Sequence, residues 1–310
     1  MPLLISRAFP EASLQALRVC LEYMIVSLLL EQLTDVPATT PEAQKWANIF
    51  KQAFKQTLRA SEDSATAILK QLRKLKRVLL VSQPPTANEN LSNSFIDRVL
   101  NTIEEPYRSY LVESNILLAE GMVKEAADRE NPDTALTLKT YMEARRMTIG
   151  IRPIFEIGRW IYGLDIAHEV LTHPDILHIE KQMIDLVFLA NDLYSYKKEC
   201  FACGAHHNYI TIALRDPITG LRENDRQGAI DYTCRKFCEV LGDVQLCRKV
   251  LPRFGESEDT KIALYIDMMM DVVVANIQWS LATLRYGHFE IYDAAEAPVW
   301  GDVVFELDAL

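Results

Sequence analysis

The chain has 310 residues, 49% of them hydrophobic, with a formal net charge of −10 and six cysteines. That length and hydrophobic content allow one large buried core. The acidic balance argues against a nucleic-acid binder, and six cysteines in a chain of this size do not suggest a disulfide scaffold. Glycine, at 11 of 310 residues, is about half as frequent as the usual ~7%, which favours helices over sheets with many tight turns.

The first residues, MPLLISRAFPEASLQ, lack a signal-peptide pattern because Arg7 and Glu11 interrupt them. Residues 11–35 read as one helix with a broad apolar face (Leu14, Leu17, Val19, Cys20, Met24, Val26, Leu29, Leu30). Its apolar run contains Glu22 and Glu31 and is too short and too charged for a membrane span. The expectation is a soluble, cytoplasmic protein.

Thr40, Pro41 and Glu42 form a helix start, and residues 41–81 read as one or two helices. The charges of LKQLRKLKRVLL fall between spaced leucines, on a solvated face. SQPPTANENLSNS, residues 82–94, is the clearest loop and reads as an insertion within one bundle. Further helices are expected over 95–128, 132–150, 151–171, 176–204, 225–250 and 258–286. RDPITGLREND and RFGESED read as loops, and residues 287–310 as an irregular tail. No internal repeat or low-complexity tract appears. The reading is a single all-α domain over residues 1–310.

The stretch NDLYSYKKE, 191–199, places a dense polar group at the end of the apolar run MIDLVFLA. Residues four apart share one face of a helix, so Asn191, Ser195 and Glu199 form a stripe. An amide carbonyl, a hydroxyl and a carboxylate are hard oxygen ligands of the kind Mg²⁺ accepts. Lys198 lies beside the stripe and can reach a phosphate oxygen. On spacing alone, the competing reading is an amphipathic helix end with ordinary solvated groups.

The same stretch resembles the second metal motif of class I terpene synthases, N-D-x-x-S-x-x-x-E, and most closely that of fungal and bacterial sesquiterpene synthases. YMEARRMTIG resembles the family segment whose arginine senses diphosphate four residues before a small residue. Counting back from Gly150 gives Arg146, with Arg145 as the second choice. WSLATLRYG resembles the family's C-terminal signature, which carries over to Arg285 and Tyr286. Order and spacing agree over roughly 140–287.

The resemblance implies an all-α class I terpenoid synthase bundle around an apolar pocket. It implies Mg²⁺-dependent ionisation of a prenyl diphosphate, most readily farnesyl diphosphate, followed by cyclisation to a sesquiterpene. Asn191, Ser195 and Glu199 would hold one metal. Arg146, Lys198, Arg285 and Tyr286 would grip the diphosphate. The implied partner is the prenyl diphosphate, with no nucleic acid and no membrane span, and the reading is compatible with a homodimer.

The family's first, aspartate-rich motif is represented by MIVSLLLEQLTD. Glu31 replaces its first aspartate, Gln32 its second, and Asp35 its last. Glu31 and Asp35 remain at i and i+4 on one face and are the expected ligands for the other metals. Only thirty residues precede Glu31, so the domain is expected to begin late. These departures leave open a homologue that binds a prenyl diphosphate without cyclising it, or that couples the cation to another nucleophile.

Cys200, Cys203, His206 and His207 form C-x-x-C-x-x-H-H, a spacing that can bind zinc, although structural zinc sites usually draw on two separated segments. A helical zinc-binding protein is thus the other alternative. Cys234 and Cys238 are expected in the core. Tyr162, Phe188, Tyr194 and Trp279 are candidate pocket aromatics. No G-x-S-x-G, phosphate-cradling glycine loop or H-E-x-x-H occurs.

Overall fold

The computed structural model describes residues 2–34, 39–56, 95–131, 136–203, 207–283 and 286. Within them the chain is helical, without strands: α1 (Pro2–Ala8), α2 (Leu14–Thr34), α3 (Thr40–Gln56), α4 (Phe95–Thr102), α5 (Tyr107–Glu130), α6 (Leu138–Thr148), α7 (Ile151–Ile161), α8 (His168–Leu171), α9 (Pro174–Cys203), α10 (Tyr209–Arg215), α11 (Arg226–Val250) and α12 (Glu256–Ala282). The expected loop at 82–94, the second half of the expected 41–81 helices and the tail from 287 lie outside the described residues.

α9 is the axis of the bundle and packs on α6, α7, α8, α10, α11 and α12. From Met183 to Ala190 every side chain except that of Asp185 is apolar, and all are at most 2% exposed. A helix apolar on all sides is stable only when surrounded. α2, α3, α4 and α5 form the flanking half, and α1 lies between α2 and α12. α12 is long and apolar enough to cross a membrane by length and composition, but 56% of its most apolar stretch is buried within the bundle. A core helix has that character.

The helix ends follow from local chemistry. Thr137 and Thr140 close a reciprocal capping box at the start of α6. Asn208 caps α10 by accepting from the Ile210 N–H at 3.0 Å, and Asp225 caps α11 by accepting from Gly228 at 2.9 Å. Glu256, Glu258 and Asp259 sit in the first turn of α12, where carboxylates oppose the helix dipole. Between α6 and α7 the chain passes through Gly150 at φ 72°, a left-handed conformation that glycine adopts without penalty.

Three expectations change. The helix expected over 95–128 is two helices, interrupted at residues 103–106 before Tyr107. The stretch expected to be one helix over 151–171 breaks at Tyr162–Gly163 and resumes only as the single turn of α8. YITIALR, unassigned in the sequence reading, forms α10 behind its Asn208 cap.

Candidate active site

Asn191, Ser195 and Glu199 lie on successive turns near the C-terminal end of α9. Asn191 and Glu199 are half-buried, and Ser195 is 2% exposed. The Ser195 Oγ has no hydrogen-bond partner. A buried hydroxyl left without one costs about 1–3 kcal/mol, so an orphan midway between two other oxygen donors marks a place for a ligand. The donor set of amide, hydroxyl and carboxylate suits a hard divalent cation.

Asp192, the residue between, does different work. It is fully buried. Its carboxylate accepts from Tyr141 Oη at 2.6 Å, the Tyr209 N–H at 2.9 Å and Arg145 Nη2 at 3.2 Å. Burial pushes its pKa up to about 6, against the pull of Arg145. Asn208 donates to the Asp192 carbonyl at 2.8 Å and to Glu199 Oε2 at 3.0 Å. The start of α10 is therefore tied to the polar end of α9, and Glu199 is aimed by the tie.

Arg145 also donates to Asn191 Oδ1 at 2.9 Å, and Asn191 Nδ2 donates to Tyr286 Oη at 3.0 Å. Two of the expected site residues, Asn191 and Tyr286, are thus in contact. Arg146 is directed elsewhere: it makes a two-point pair with Asp185, at 2.6 and 2.7 Å. Lys198 is exposed beside Glu199. Arg285 and Asp35 lie outside the described residues.

Glu31 sits, exposed, in the last turn of α2. A relay connects that turn to the stripe. Arg129 of α5 donates to the Thr34 carbonyl at 2.6 Å and to Glu125 at 3.1 Å. Glu125 lies 3.9 Å from His207, whose neighbour Asn208 holds Glu199. The end of α2 and the end of α9 therefore share one rim of the bundle.

The family model for terpene synthase family 2, C-terminal metal binding, matches residues 23–241, more than two thirds of the chain and including that rim. The chain belongs to the terpene synthase family. Delta(6)-protoilludene synthase of Armillaria gallica is 30% identical over 287 residues, covering 92% of this chain and 74% of the relative. Sesquiterpene synthase 3 of Postia placenta is 30% identical over 201 residues, 65% of this chain and 53% of the relative. The matched part thus spans about half the length of some curated relatives. Among solved structures, α-eudesmol synthase has a TM-score of 0.68 at 17% identity, covering 91% of this chain and 84% of that one. 2-Methylisoborneol synthase from Streptomyces coelicolor, in complex with Mg²⁺ and geranyl-S-thiolodiphosphate, has 0.69 at 14%, covering 93% and 84%. These two share the all-α class I terpenoid synthase fold.

In this terpene synthase a cavity of about 30 Å³ lies between α1, α2, α7 and α12, lined by Ile5, Phe9, Met24, Ile154, Val272 and Asn276 among others. A ligand of prenyl size needs roughly 300 Å³ or more. Leu4 of α1 packs on a second cluster formed by Ala190, Tyr194, Trp279 and Tyr286. None of the four expected pocket aromatics lines the cavity; Phe9 does. Phe188 instead packs with Tyr141 and Tyr209 on the α6–α10 side.

Sequence reasoning did not single out Asp192, Tyr141 or Glu125. The available signal was the placement of Asp192 one residue off the stripe, which turns it about 100° inward. Cys234 and Cys238 are exposed, contrary to expectation, because α11 buries Ala229, Ile230, Thr233, Val240 and Val244 instead. His206 and the side chains of Cys200 and Cys203 lie outside the described residues.

Proposed function

We propose that this chain is a sesquiterpene cyclase that ionises farnesyl diphosphate with Mg²⁺ and closes the resulting cation into a hydrocarbon. The observation that carries the reading is the orphaned Ser195 Oγ, set one turn from Asn191, which Arg145 and Tyr286 contact, and one turn from Glu199. The names of its relatives, Delta(6)-protoilludene synthase and sesquiterpene synthase 3, support the same substrate class.

Asn191, Ser195 and Glu199 would hold one Mg²⁺, and Glu31 and Asp35 would hold others. Bound there, Mg²⁺ would supply positive charge to neutralise a diphosphate leaving group. The chain's own groups supply the rest. Tyr286, Lys198 and Arg285 donate hydrogen bonds to the departing oxygens. Between the two adjacent arginines, the geometry favours Arg145 for that role, since it already lies on Asn191 while Arg146 is held by Asp185. The C–O bond breaks with its electron pair going to diphosphate, leaving an allylic cation among apolar walls that exclude water. Ring closure uses electrons of a distal double bond, and transfer of a proton from the final cation to the released diphosphate gives the neutral hydrocarbon. The protein would act as a soluble cytoplasmic enzyme.

The test is incubation of purified protein with farnesyl diphosphate and Mg²⁺, with volatile products read by gas chromatography and mass spectrometry. A cyclic sesquiterpene supports the proposal. Only unreacted diphosphate, from folded protein, overturns it. Glu31→Asp with Gln32→Asp should raise the yield if Glu31 is a weakened ligand.

A further inference from the structure

We propose a second metal site, built from His178, Asp243 and Cys247 where α9 faces α11, that takes a zinc-type transition-metal ion. The three ligand atoms all lie within 4.8 Å of one another. His178 Nε2 is 2.9 Å from Asp243 Oδ2, and Cys247 Sγ is 3.9 Å from Asp243 Oδ1. Gln182 Nε2 also hydrogen-bonds Asp243 Oδ2.

The spacing is what two facing helices need for a chelate. His178 and Gln182 are one turn apart on α9, and Asp243 and Cys247 are one turn apart on α11, so two i,i+4 pairs converge. Tetrahedral zinc with Zn–N near 2.0 Å and Zn–S near 2.3 Å places its ligands roughly 3.3–3.8 Å from each other. The present cluster reaches that by side-chain rotation within an ångström or so. The fourth position falls to water, or to the Gln182 amide oxygen if the amide is turned over. Gln182 otherwise serves to orient the Asp243 carboxylate.

A His–Asp pair alone on a surface would be an ordinary, weak ion pair. The half-buried Cys247 thiol at its side changes the chemistry, because thiolate plus imidazole selects zinc-type ions over Mg²⁺. His178 and Asp243 are 44% and 42% exposed, which leaves a path for the ion. Thirteen residues of helix separate His178 from Asn191, about 20 Å, so the site is distinct from the oxygen stripe. Its effect is to clip α11 to the helix that carries that stripe.

Metal-stripped full-length protein, in buffer without Mg²⁺, is titrated with Co²⁺ as the spectroscopic probe and then with Zn²⁺. A thiolate-to-cobalt charge-transfer band that saturates at one equivalent and is displaced by Zn²⁺ is expected. Cys247→Ser should abolish the band and His178→Ala should weaken binding at least about tenfold, both with unchanged helical circular dichroism. Cys200→Ser with Cys203→Ser should retain it. Zn²⁺ should raise the melting temperature of the wild type by roughly 5 °C and that of Cys247→Ser by much less. A folded wild type without the band, a band that survives Cys247→Ser, or one lost in the Cys200/Cys203 variant overturns the assignment.

Discussion

Arg145 places its Nη2 2.9 Å from Asn191 Oδ1 and 3.2 Å from Asp192 Oδ1, while the next residue, Arg146, is locked to Asp185, two turns earlier on α9. Two adjacent arginines thus have opposite assignments. Arg145 joins the candidate metal stripe to the buried carboxylate that anchors it. Arg145→Lys keeps the charge but loses the planar fork, and should lower diphosphate release from farnesyl diphosphate about 100-fold. Arg146→Lys should lower it less than about tenfold. Steady-state assays of both variants decide between them, and the reverse order would restore Arg146 to the role.

Ser195→Ala should separate stability from function. The hydroxyl is buried without a partner, so its removal relieves a cost rather than creating one. Thermal unfolding should show a melting temperature unchanged or raised by about 2 °C. The Mg²⁺ concentration giving half-maximal activity should rise roughly tenfold.

Glu156, on α7, is the clearest source of pH dependence in stability. It bonds the buried Arg159 at 2.7 Å, yet burial, with Glu180 nearby, pushes its pKa up to about 7 from the ordinary 4.5. Because the folded value lies above the unfolded one, its contribution is full below about pH 4.5 and is lost as pH rises to about 7. Wild-type protein should therefore lose on the order of 2 kcal/mol across that window relative to its own trend in Glu156→Gln. Denaturant titrations at several pH values would detect this; parallel profiles would contradict it.

Gly150→Ala tests the break between α6 and α7. The nearest atom to an added Cβ is Leu118 Cδ2 at 3.9 Å, so there is room, but φ is +72°. The expected cost is the backbone term alone, about 1–2 kcal/mol, measured as a lower unfolding midpoint with unchanged denaturant slope.

Much of this was legible in the sequence. The 3.6-residue periodicity of 176–204 and the i,i+4 spacing of Asn191, Ser195 and Glu199 depend only on local geometry, and the helix and its stripe follow from them. Which of Arg145 and Arg146 faces the stripe does not, because adjacent helical residues diverge by about 100° and the choice is set by α9. Asp192 reads as a further polar residue until Tyr141, Tyr209 and Arg145 are brought to it from two other helices. The exposure of Cys234 and Cys238 likewise depends on which face of α11 meets α9 and α10. The small cavity was not legible, since it depends on Ile5 and Phe9 reaching across to α7 and α12.

Whether the Asn191 stripe holds the metal that drives ionisation is decided by diphosphate release from farnesyl diphosphate, measured against Mg²⁺ concentration in wild type and Asn191→Ala side by side. Saturable, Mg²⁺-dependent release by the wild type and at least a 100-fold loss in the variant, with its helical content intact, are expected. Equal release by the two proteins, or none by a folded wild type at any Mg²⁺ concentration, would contradict that role.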